Sequence, residues 1–469
     1  MIYGVLALLH TVIAAMGTAH ILVNKSDVRS AIGWIGLMWL SPFAGAAIYS
    51  AFGINRVARR ASRIMRDPGS SIELPDHFTF DITRLDTGTR PIADVGSRIT
   101  ELPLTQANSV SILQGGTEAY PEMLSSIANA RRSIALATYI FRLDEVGSQF
   151  VAALIAADKR GVAVRVLVDG IGSGYFFSPV VRRLRSAGIP AMRFMHDWRP
   201  WRMSFVNLRN HKKLMIVDGA VGFAGGLNLG RENTLTRTGK RKVDDVHFRV
   251  DGPVVSQLMI SFAEDWHFST GETLDGNAWW PMIERKGNVI ARGMSSGPDE
   301  DVGSIETIFA TALGQAERSI RIVTPYFLPD ERLKSAIILA GLRGVEIELV
   351  IPDRSDHVAM DWAMRAHLSF FPLERMKCFG TPNPFDHSKL LTVDGKWCAL
   401  GSANWDVRSL RLNFEFLLEC YDKDTVTAID ALIDDKISQA RPLTSACLTA
   451  RPLMVRLRDA SARLFLPYI

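Results

Sequence analysis

The sequence predicts a layered α/β fold built from two copies of one unit with a pseudo-two-fold axis, preceded by a two-helix transmembrane hairpin. Three observations carry this. Two long apolar stretches without Lys, Arg, Asp or Glu stand near the N-terminus. Strand-like and helix-like segments alternate and then recur later in the chain. A polar motif occupies the same place in each recurrence. With 469 residues, 47% hydrophobic and 22% charged, the chain is neither disordered, nor collagen-like, nor a small disulfide scaffold.

The first apolar stretch runs from Ile2 to Val23 and the second from Ala31 to Ile54. At about 1.5 Å per helical residue, each can cross a hydrocarbon core of roughly 30 Å. Met1-Ile2-Tyr3 offers no basic leader, and a second apolar stretch follows at once, so a hairpin is expected rather than a signal peptide. Pro42 should kink its second arm, which membrane helices tolerate. The loop carries Lys25 and Arg29 against Asp27; beyond the hairpin stand Arg56, Arg59, Arg60, Arg63 and Arg66 with no acid among them. The positive-inside rule then places everything after that cluster in the cytoplasm. The same arginines suit anionic headgroups.

Asp67 to Asn108 is rich in Pro, Gly, Ser and Thr and reads as a linker with short strands. After it come a helix over Tyr120–Ala130, a strand over Ser133–Phe141, a helix over Gly147–Lys159 and a strand over Val164–Val168. The recurrence is a helix over Ile305–Glu317, a strand over Ser319–Phe327, a helix over Glu331–Leu342 and a strand over Glu346–Ile351. Arg-Gly-Val stands at 160–162 and again at 343–345. Such alternation argues for helices layered on a sheet. The expected organisation is a hairpin over 1–55, a basic flank and linker over 56–108, a first unit over 109–275 and a second over 296–469.

The motifs are His211-Lys212-Lys213 … Asp218 … Gly225-Gly226-Leu227-Asn228 and His387-Ser388-Lys389 … Asp394 … Gly401-Ser402-Ala403-Asn404. The separation from His to Asn is 17 in both. A histidine and a lysine two apart on a strand share one face. The Gly-rich turn brings an amide close to them. Two copies supply two imidazoles, two ammonium groups and two amides, a set that suits a phosphodiester. Lysines and asparagines hold the non-bridging oxygens. One imidazole attacks phosphorus and the other exchanges protons with the alcohol oxygens. The ammonium groups supply the positive charge, so neither a metal nor a cofactor is required. The four cysteines form no C-x-x-C pair and signal neither zinc nor a disulfide framework. One isolated His-x-Lys strand would be an ordinary solvated edge; duplication reverses that reading.

The two motifs resemble the paired HKD motifs of the phospholipase D superfamily. Trp34, Pro42, Gly45, Tyr49 and Phe52-Gly53 in the second apolar stretch resemble the corresponding segment of bacterial cardiolipin synthases. So do Tyr139-Ile140-Phe141 with Asp144 and Gly147, Asp251-Gly252-Pro253, and Phe262 to Trp266 followed by Thr270-Gly271-Glu272. The resemblance covers nearly the whole chain. It implies two phospholipase D-like α/β/α lobes and a multi-pass protein of the bacterial inner membrane with cytoplasmic catalytic lobes. It also implies a phosphatidyltransferase that makes cardiolipin and glycerol from two phosphatidylglycerol molecules through a phosphohistidine. A phospholipase D using water or another alcohol shares the first half-reaction.

Residue by residue, the resemblance implies a catalytic set of His211, Lys213, Asp218, His387, Lys389 and Asp394. Asn228, Asn404 and Ser402 would bind phosphate. His211 would be the nucleophile and His387 the acid/base; the residues themselves fit either assignment. Asp218 and Asp394 are better read as caps where each strand ends. Orienting acids are expected downstream of each Asn: Glu415, 28 residues after His387, and Asp245, with Asp244 as its competitor.

The partners expected are phosphatidylglycerol, other anionic phospholipids and the membrane. The net charge of +5 is too small an excess to argue for nucleic acid, and a nuclease has no need of the hairpin. Arg199, Trp201, Arg202, Phe205 and Arg209 form a basic and aromatic run suited to an anionic membrane surface or to a packed loop. Trp279-Trp280-Pro281 either meets the interface or covers the core. A non-catalytic scaffold is disfavoured by two intact motifs.

Overall fold

The computed structural model describes residues 2–25, 28–53, 76–196, 208–234, 242–297 and 303–464. The arginine cluster Arg56 to Arg66 and the residues Arg199, Trp201, Arg202 and Phe205 lie outside them.

Ile2–Asn24 is one helix, and its span Tyr3–Asn24 is long and apolar enough to cross a bilayer. The second apolar stretch is not one kinked helix. Val28–Leu40 stops at Ser41, Pro42–Ile48 starts afresh, and a wide turn over Tyr49–Gly53 follows. Pro42 breaks the stretch because its ring removes a backbone donor and drives the preceding residue out of helical geometry; Ser41 has φ −153° and ψ 77°. The segments pack back on one another. Ile21, Ala31, Met38 and Tyr49 are buried together, and the Trp39 indole donates to the Thr18 hydroxyl at 3.1 Å.

Within the stretch read as a linker stands a further helix, Arg90–Thr100. Pro91 lies in its first turn, and Glu101 ends it with φ 56°. Ile92 and Ala93 are buried against the later part of the chain. So few apolar residues leave a weak periodicity.

The strands, in chain order, are β1 Thr105–Gln114, β2 Ser133–Thr138, β3 Ala163–Asp169, β4 Ala191–Phe194, β5 Arg209–Asn210, β6 Leu214–Val217, β7 Val221–Gly225, β8 Val243–Asp244 and β9 Val246–Asp251. Next come β10 Val289–Ser296, β11 Ser319–Val323, β12 Phe327–Leu328, β13 Glu346–Pro352, β14 Lys377–Thr381 and β15 Phe385–Asp386. The last are β16 Leu390–Val393, β17 Trp397–Gly401, β18 Trp405–Asp406, β19 Asn413–Cys420 and β20 Arg441–Pro442. One 16-stranded sheet runs β4-β3-β2-β6-β7-β9-β1 and continues β10-β19-β17-β16-β11-β13-β14-β20, with β5 alongside β19. β2, β3 and β4 are parallel, as are β11, β13 and β14. Each parallel set is fed by the predicted helices, observed as Gly115–Asn129, Glu145–Lys159, Ser304–Gln315 and Glu331–Leu342. The strands predicted over 133–141 and 319–327 end early, at Thr138 and Val323, where the chain leaves the sheet towards the histidines.

One face of the sheet packs a core shared by both ends of the chain. Phe194, Phe248, Phe262 and Trp266 lie in it with Leu400, Phe414, Phe416 and Ile429. Trp279 is buried there too, so this Trp-Trp-Pro segment covers the core. Helices Val255–Thr270 and Lys423–Gln439 supply much of the layer. At the central seam β1 pairs antiparallel with β10, and β10 with β19. Across it, Arg292 of β10 is fully buried. It pairs with the fully buried Glu419 of β19 at 2.5 Å and donates to the Ala93 carbonyl at 3.0 Å and Ser97 Oγ at 2.6 Å. This ion pair staples helix Arg90–Thr100 to the seam. Breaking a buried pair leaves an uncompensated charge. Arg292→Met should therefore destabilise the protein by about 3–5 kcal/mol, and the double change with Glu419→Gln by much less. Chemical denaturation of the two variants checks this; equal losses would show that the ion pair is not what couples these elements.

Candidate active site

Each motif enters the site as a short strand that pairs with the other end of the chain. β5 lies parallel to the start of β19, and the His211 amide donates to the Phe414 carbonyl at 2.8 Å. β15 lies parallel to β8, and the His387 amide donates to the Asp244 carbonyl at 2.7 Å. Each imidazole consequently meets an acid contributed from the opposite half. His211 Nδ1 is 2.9 Å from Glu415 Oε2, and His387 Nδ1 is 2.7 Å from Asp245 Oδ2. All four side chains are buried or nearly so. A carboxylate at Nδ1 fixes that nitrogen as the donor and leaves the lone pair of the neutral ring on Nε2.

Lys213 and Lys389 share the site. Lys213 Nζ donates to the His211 carbonyl at 2.6 Å and stands 5.5 Å from the Tyr139 ring centroid. Lys389 Nζ donates to the His387 carbonyl. Burial, reinforced by the Lys389 charge, lowers Lys213 to about 7; burial lowers Lys389 to about 8, with Asp245 and Glu415 opposing. Burial also lowers His211 to about 4, with Lys213 pushing the same way and Glu415 opposing; it lowers His387 for the same reason, with Lys389 adding. Both acids are held below the usual carboxylate range despite burial, Glu415 by His211 and Lys213, Asp245 by Lys389 and His387. The resting site thus holds neutral imidazoles against carboxylates, beside two lysines whose positive charge burial weakens.

Comparison with known proteins fits this geometry. The family described as cardiolipin synthase, PLD-like domain, matches residues 123–266 and 309–437. The chain belongs to this family. A cardiolipin synthase of Geobacillus sp. (strain WCH70) is 30% identical over 458 residues, covering 96% of this chain and 90% of the relative. The major cardiolipin synthase of Bacillus subtilis (strain 168) is 30% identical over 462 residues, with 95% of each chain covered. Among solved structures, a phosphatidylserine synthase of Haemophilus influenzae is similar in fold, with a TM-score of 0.64 at 14% identity over 82% of this chain and 100% of that one.

Within this cardiolipin synthase family member, the remaining motif residues fall into two groups. Asn228 and Asn404 follow the Gly-rich ends of β7 and β17: Asn228 Oδ1 accepts from the Ile140 backbone N–H at 3.2 Å, and the Asn404 backbone N–H donates to Ser409 Oγ, itself bonded to Glu415, at 2.8 Å. Asp218 and Asp394 lie at the distal end, where they end β6 and β16 with φ 54° and 56°. Asp218 accepts amides of Arg131, Arg132 and Ser133, and Asp394 accepts those of Glu317, Arg318 and Ser319. Their inclusion in the catalytic set is corrected accordingly: they are strand-end caps, and Asp-Gly suits a hairpin turn needing positive φ. Ser402 departs from its expected place as a phosphate ligand in one observed respect: its hydroxyl donates to Glu415 Oε2 at 2.5 Å, so its hydrogen is already engaged by the acid. Ser409 Oγ at 2.5 Å and Asn413 Nδ2 at 3.1 Å hold the other Glu415 oxygen. The first motif has Gly226 here because Asp245 fills the space: a Cβ on Gly226 would lie 2.2 Å from Asp245 Oδ1. The rival acid Asp244 faces away to Lys436 at 3.5 Å.

Of the basic and aromatic run before the first motif, the described Arg209 stands by Tyr139, where its charge opposes the rise that burial gives the phenol, and Tyr139 stands edge-on to His211 with centroids 5.1 Å apart. One further residue carried no motif signal. His247, two residues after Asp245, is fully buried with both ring nitrogens unpartnered among the described residues. Its only sequence signal was a polar residue at an inward position of β9. Burial lowers it to about 4. Below pH 6.5 the unfolded chain protonates this histidine, whereas the folded chain does not until about pH 4. Stability is therefore present above pH 6.5 and lost as pH falls towards 4, by up to about 3 kcal/mol for this residue. His247→Leu should flatten the decline of melting temperature between pH 6.5 and 4; an unchanged slope would refute the assignment.

Proposed function

We propose that the protein transfers the phosphatidyl group of one phosphatidylglycerol to a hydroxyl of a second, releasing glycerol and forming cardiolipin through a phosphohistidine. The observation that carries this is the pair of imidazoles, each held at Nδ1 by a buried carboxylate and sharing two buried lysines, in a chain of the cardiolipin synthase family. Neutral His211 attacks phosphorus through Nε2, in keeping with the family resemblance and its strongly lowered basicity. His387, protonated as the anionic phosphodiester arrives, gives its Nε2 proton to the departing glycerol oxygen. It then takes the proton of the acceptor hydroxyl as that oxygen attacks phosphorus and the bond to His211 breaks. Glu415 and Asp245 orient the imidazoles and compensate the charge each develops. Lys213, Lys389, Asn228 and Asn404 hold the non-bridging oxygens and favour the transition state.

The repeated strand order, β4-β3-β2-β6-β7-β9-β1 on one side and β14-β13-β11-β16-β17-β19-β10 on the other, supports two duplicated lobes related by a pseudo-two-fold axis. We take them to span 109–275 and 296–469, after a hairpin over 1–55 and a basic flank and linker over 56–108. The apolar N-terminal segments support anchorage in the bacterial cell membrane. The two-pass topology and a cytoplasmic catalytic face rest on the arginine-rich flank.

The deciding experiment supplies labelled phosphatidylglycerol alone to the detergent-solubilised protein. Cardiolipin plus glycerol is expected; phosphatidic acid alone would make the protein a phospholipase D. His211→Ala and His387→Ala should each lower turnover by about 10²–10⁴-fold or more with the fold retained by circular dichroism, and wild-type turnover in either would refute the assigned roles. The lysines set the alkaline limb. Above pH 7 to 8 Lys213 and then Lys389 lose the charge that binds phosphate, so kcat/KM should fall with rising pH there. A profile flat to pH 9 would exclude them as phosphate ligands.

A further inference from the structure

The helix Leu453–Leu464 is turned inside out relative to an ordinary surface helix. Its inward side carries the fully buried Asp459, which pairs with Arg451 and with Arg458 at 2.7 Å. The Arg458 guanidinium lies 4.3 Å over the Trp362 ring of the neighbouring helix Val358–Leu368. Outward stand Leu453, Met454, Leu457 and Leu464, which are 67%, 76%, 52% and 72% exposed. Spacings of four, three and four residues put Leu453, Leu457, Ala460 and Leu464 in one stripe. Arg456 and Arg463 lie along one border of that stripe, with Arg463 packed 4.4 Å over the ring of Phe370. Val358 and Phe370, at either end of the neighbouring helix, are themselves half exposed or more. An ionic inner side fixes the helix to the body, so burial of its leucines is not what holds it there.

Contiguous apolar surface of this kind marks an interaction site on a folded protein. Apolar residues edged by arginine suit one partner in particular, the boundary between acyl chains and anionic headgroups. Position argues the same way. The helix Val358–Leu368 begins two residues after Asp356, whose carboxylate accepts the Tyr326 hydroxyl, and the Tyr326 ring stands edge-on to His387 with centroids 6.4 Å apart. The N-terminal end of the neighbouring helix, with the exposed Val358, therefore stands close to the candidate site. The same chain carries a helix fit to cross a bilayer.

We propose that the outward face of Leu453–Leu464, with the exposed ends of Val358–Leu368, lies on the surface of an anionic bilayer, its leucines within the headgroup boundary and Arg456 and Arg463 against lipid phosphates. This goes beyond the transfer reaction, and its test reads insertion rather than turnover, so either idea can fail without the other.

The test uses the full chain in proteoliposomes. Of the cysteines only Cys447 is exposed, so a Cys447→Ser background with Leu457→Cys takes a single environment-sensitive fluorophore; Lys159→Cys, on an exposed position of the first half, is the control. In vesicles of phosphatidylcholine and phosphatidylglycerol carrying nitroxide-labelled lipid, the label at 457 should be quenched several-fold more than that at 159. Quenching should weaken in phosphatidylcholine alone and disappear on adding Leu453→Asp and Leu464→Asp. Equal quenching at 457 and 159 would overturn the proposal. So would a signal at 457 that ignores the nitroxide lipid and grows with protein density, which would assign the face to a second copy of the chain.

Discussion

Everything about the site depends on an exchange of acids. His211 reaches Glu415 and His387 reaches Asp245, so each imidazole is oriented by a side chain from the far end of the sequence. The exchange is set by backbone: β5 pairs with β19 and β15 with β8, and those two-residue ladders fix the histidine amides before any side chain is considered. A carboxylate in a dry site is costly unless ion-paired and hydrogen-bonded. Glu415 meets that cost with His211, Ser402, Ser409 and Asn413. Neither motif histidine takes its acid from its own half.

The continuous sheet makes that exchange possible. Antiparallel pairing of β9 with β1, β1 with β10 and β10 with β19 puts β19, which carries Glu415, and β9, which follows Asp245, close to one seam. A core shared by both ends of the chain excludes water beneath it. The same dryness lowers Lys213 and Lys389, so the site is held short of full positive charge until an anion enters. Low dielectric and like charge together make an anionic phosphodiester the natural third party.

Much of this was legible in the sequence, for identifiable reasons. The repeated His-x-Lys with a constant distance to Asn announced a paired site, and Glu415 and Asp245 could be named from their positions downstream. Which acid serves which histidine was not legible, because it follows from strand pairing between residues some 140 to 200 positions apart. Ser402 looked like a phosphate ligand because spacing does not report direction: the backbone turn after β17 aims it at Glu415. The helix Arg90–Thr100 escaped because its key partner is a polar one, Arg292, which a search for apolar periodicity does not register. Pro42 was visible, but whether a proline kinks or breaks a helix depends on how the following segment packs, here through Tyr49 against Ile21 and Met38.

The two acid seats are built to different depths. In one, a long acid meets a serine; in the other, a short acid fills the place where a serine would be, and only glycine fits opposite it. Interconverting the seats by single steps passes through a misfit either way. A serine opposite aspartate collides with it, and a glutamate opposite glycine forfeits the hydroxyl that steadies it. The positions 226 and 245 therefore form one unit of inheritance, as do 402 and 415. A lineage that began with identical halves could drift apart at this place only by changing two residues together, and having done so would find the return path just as narrow.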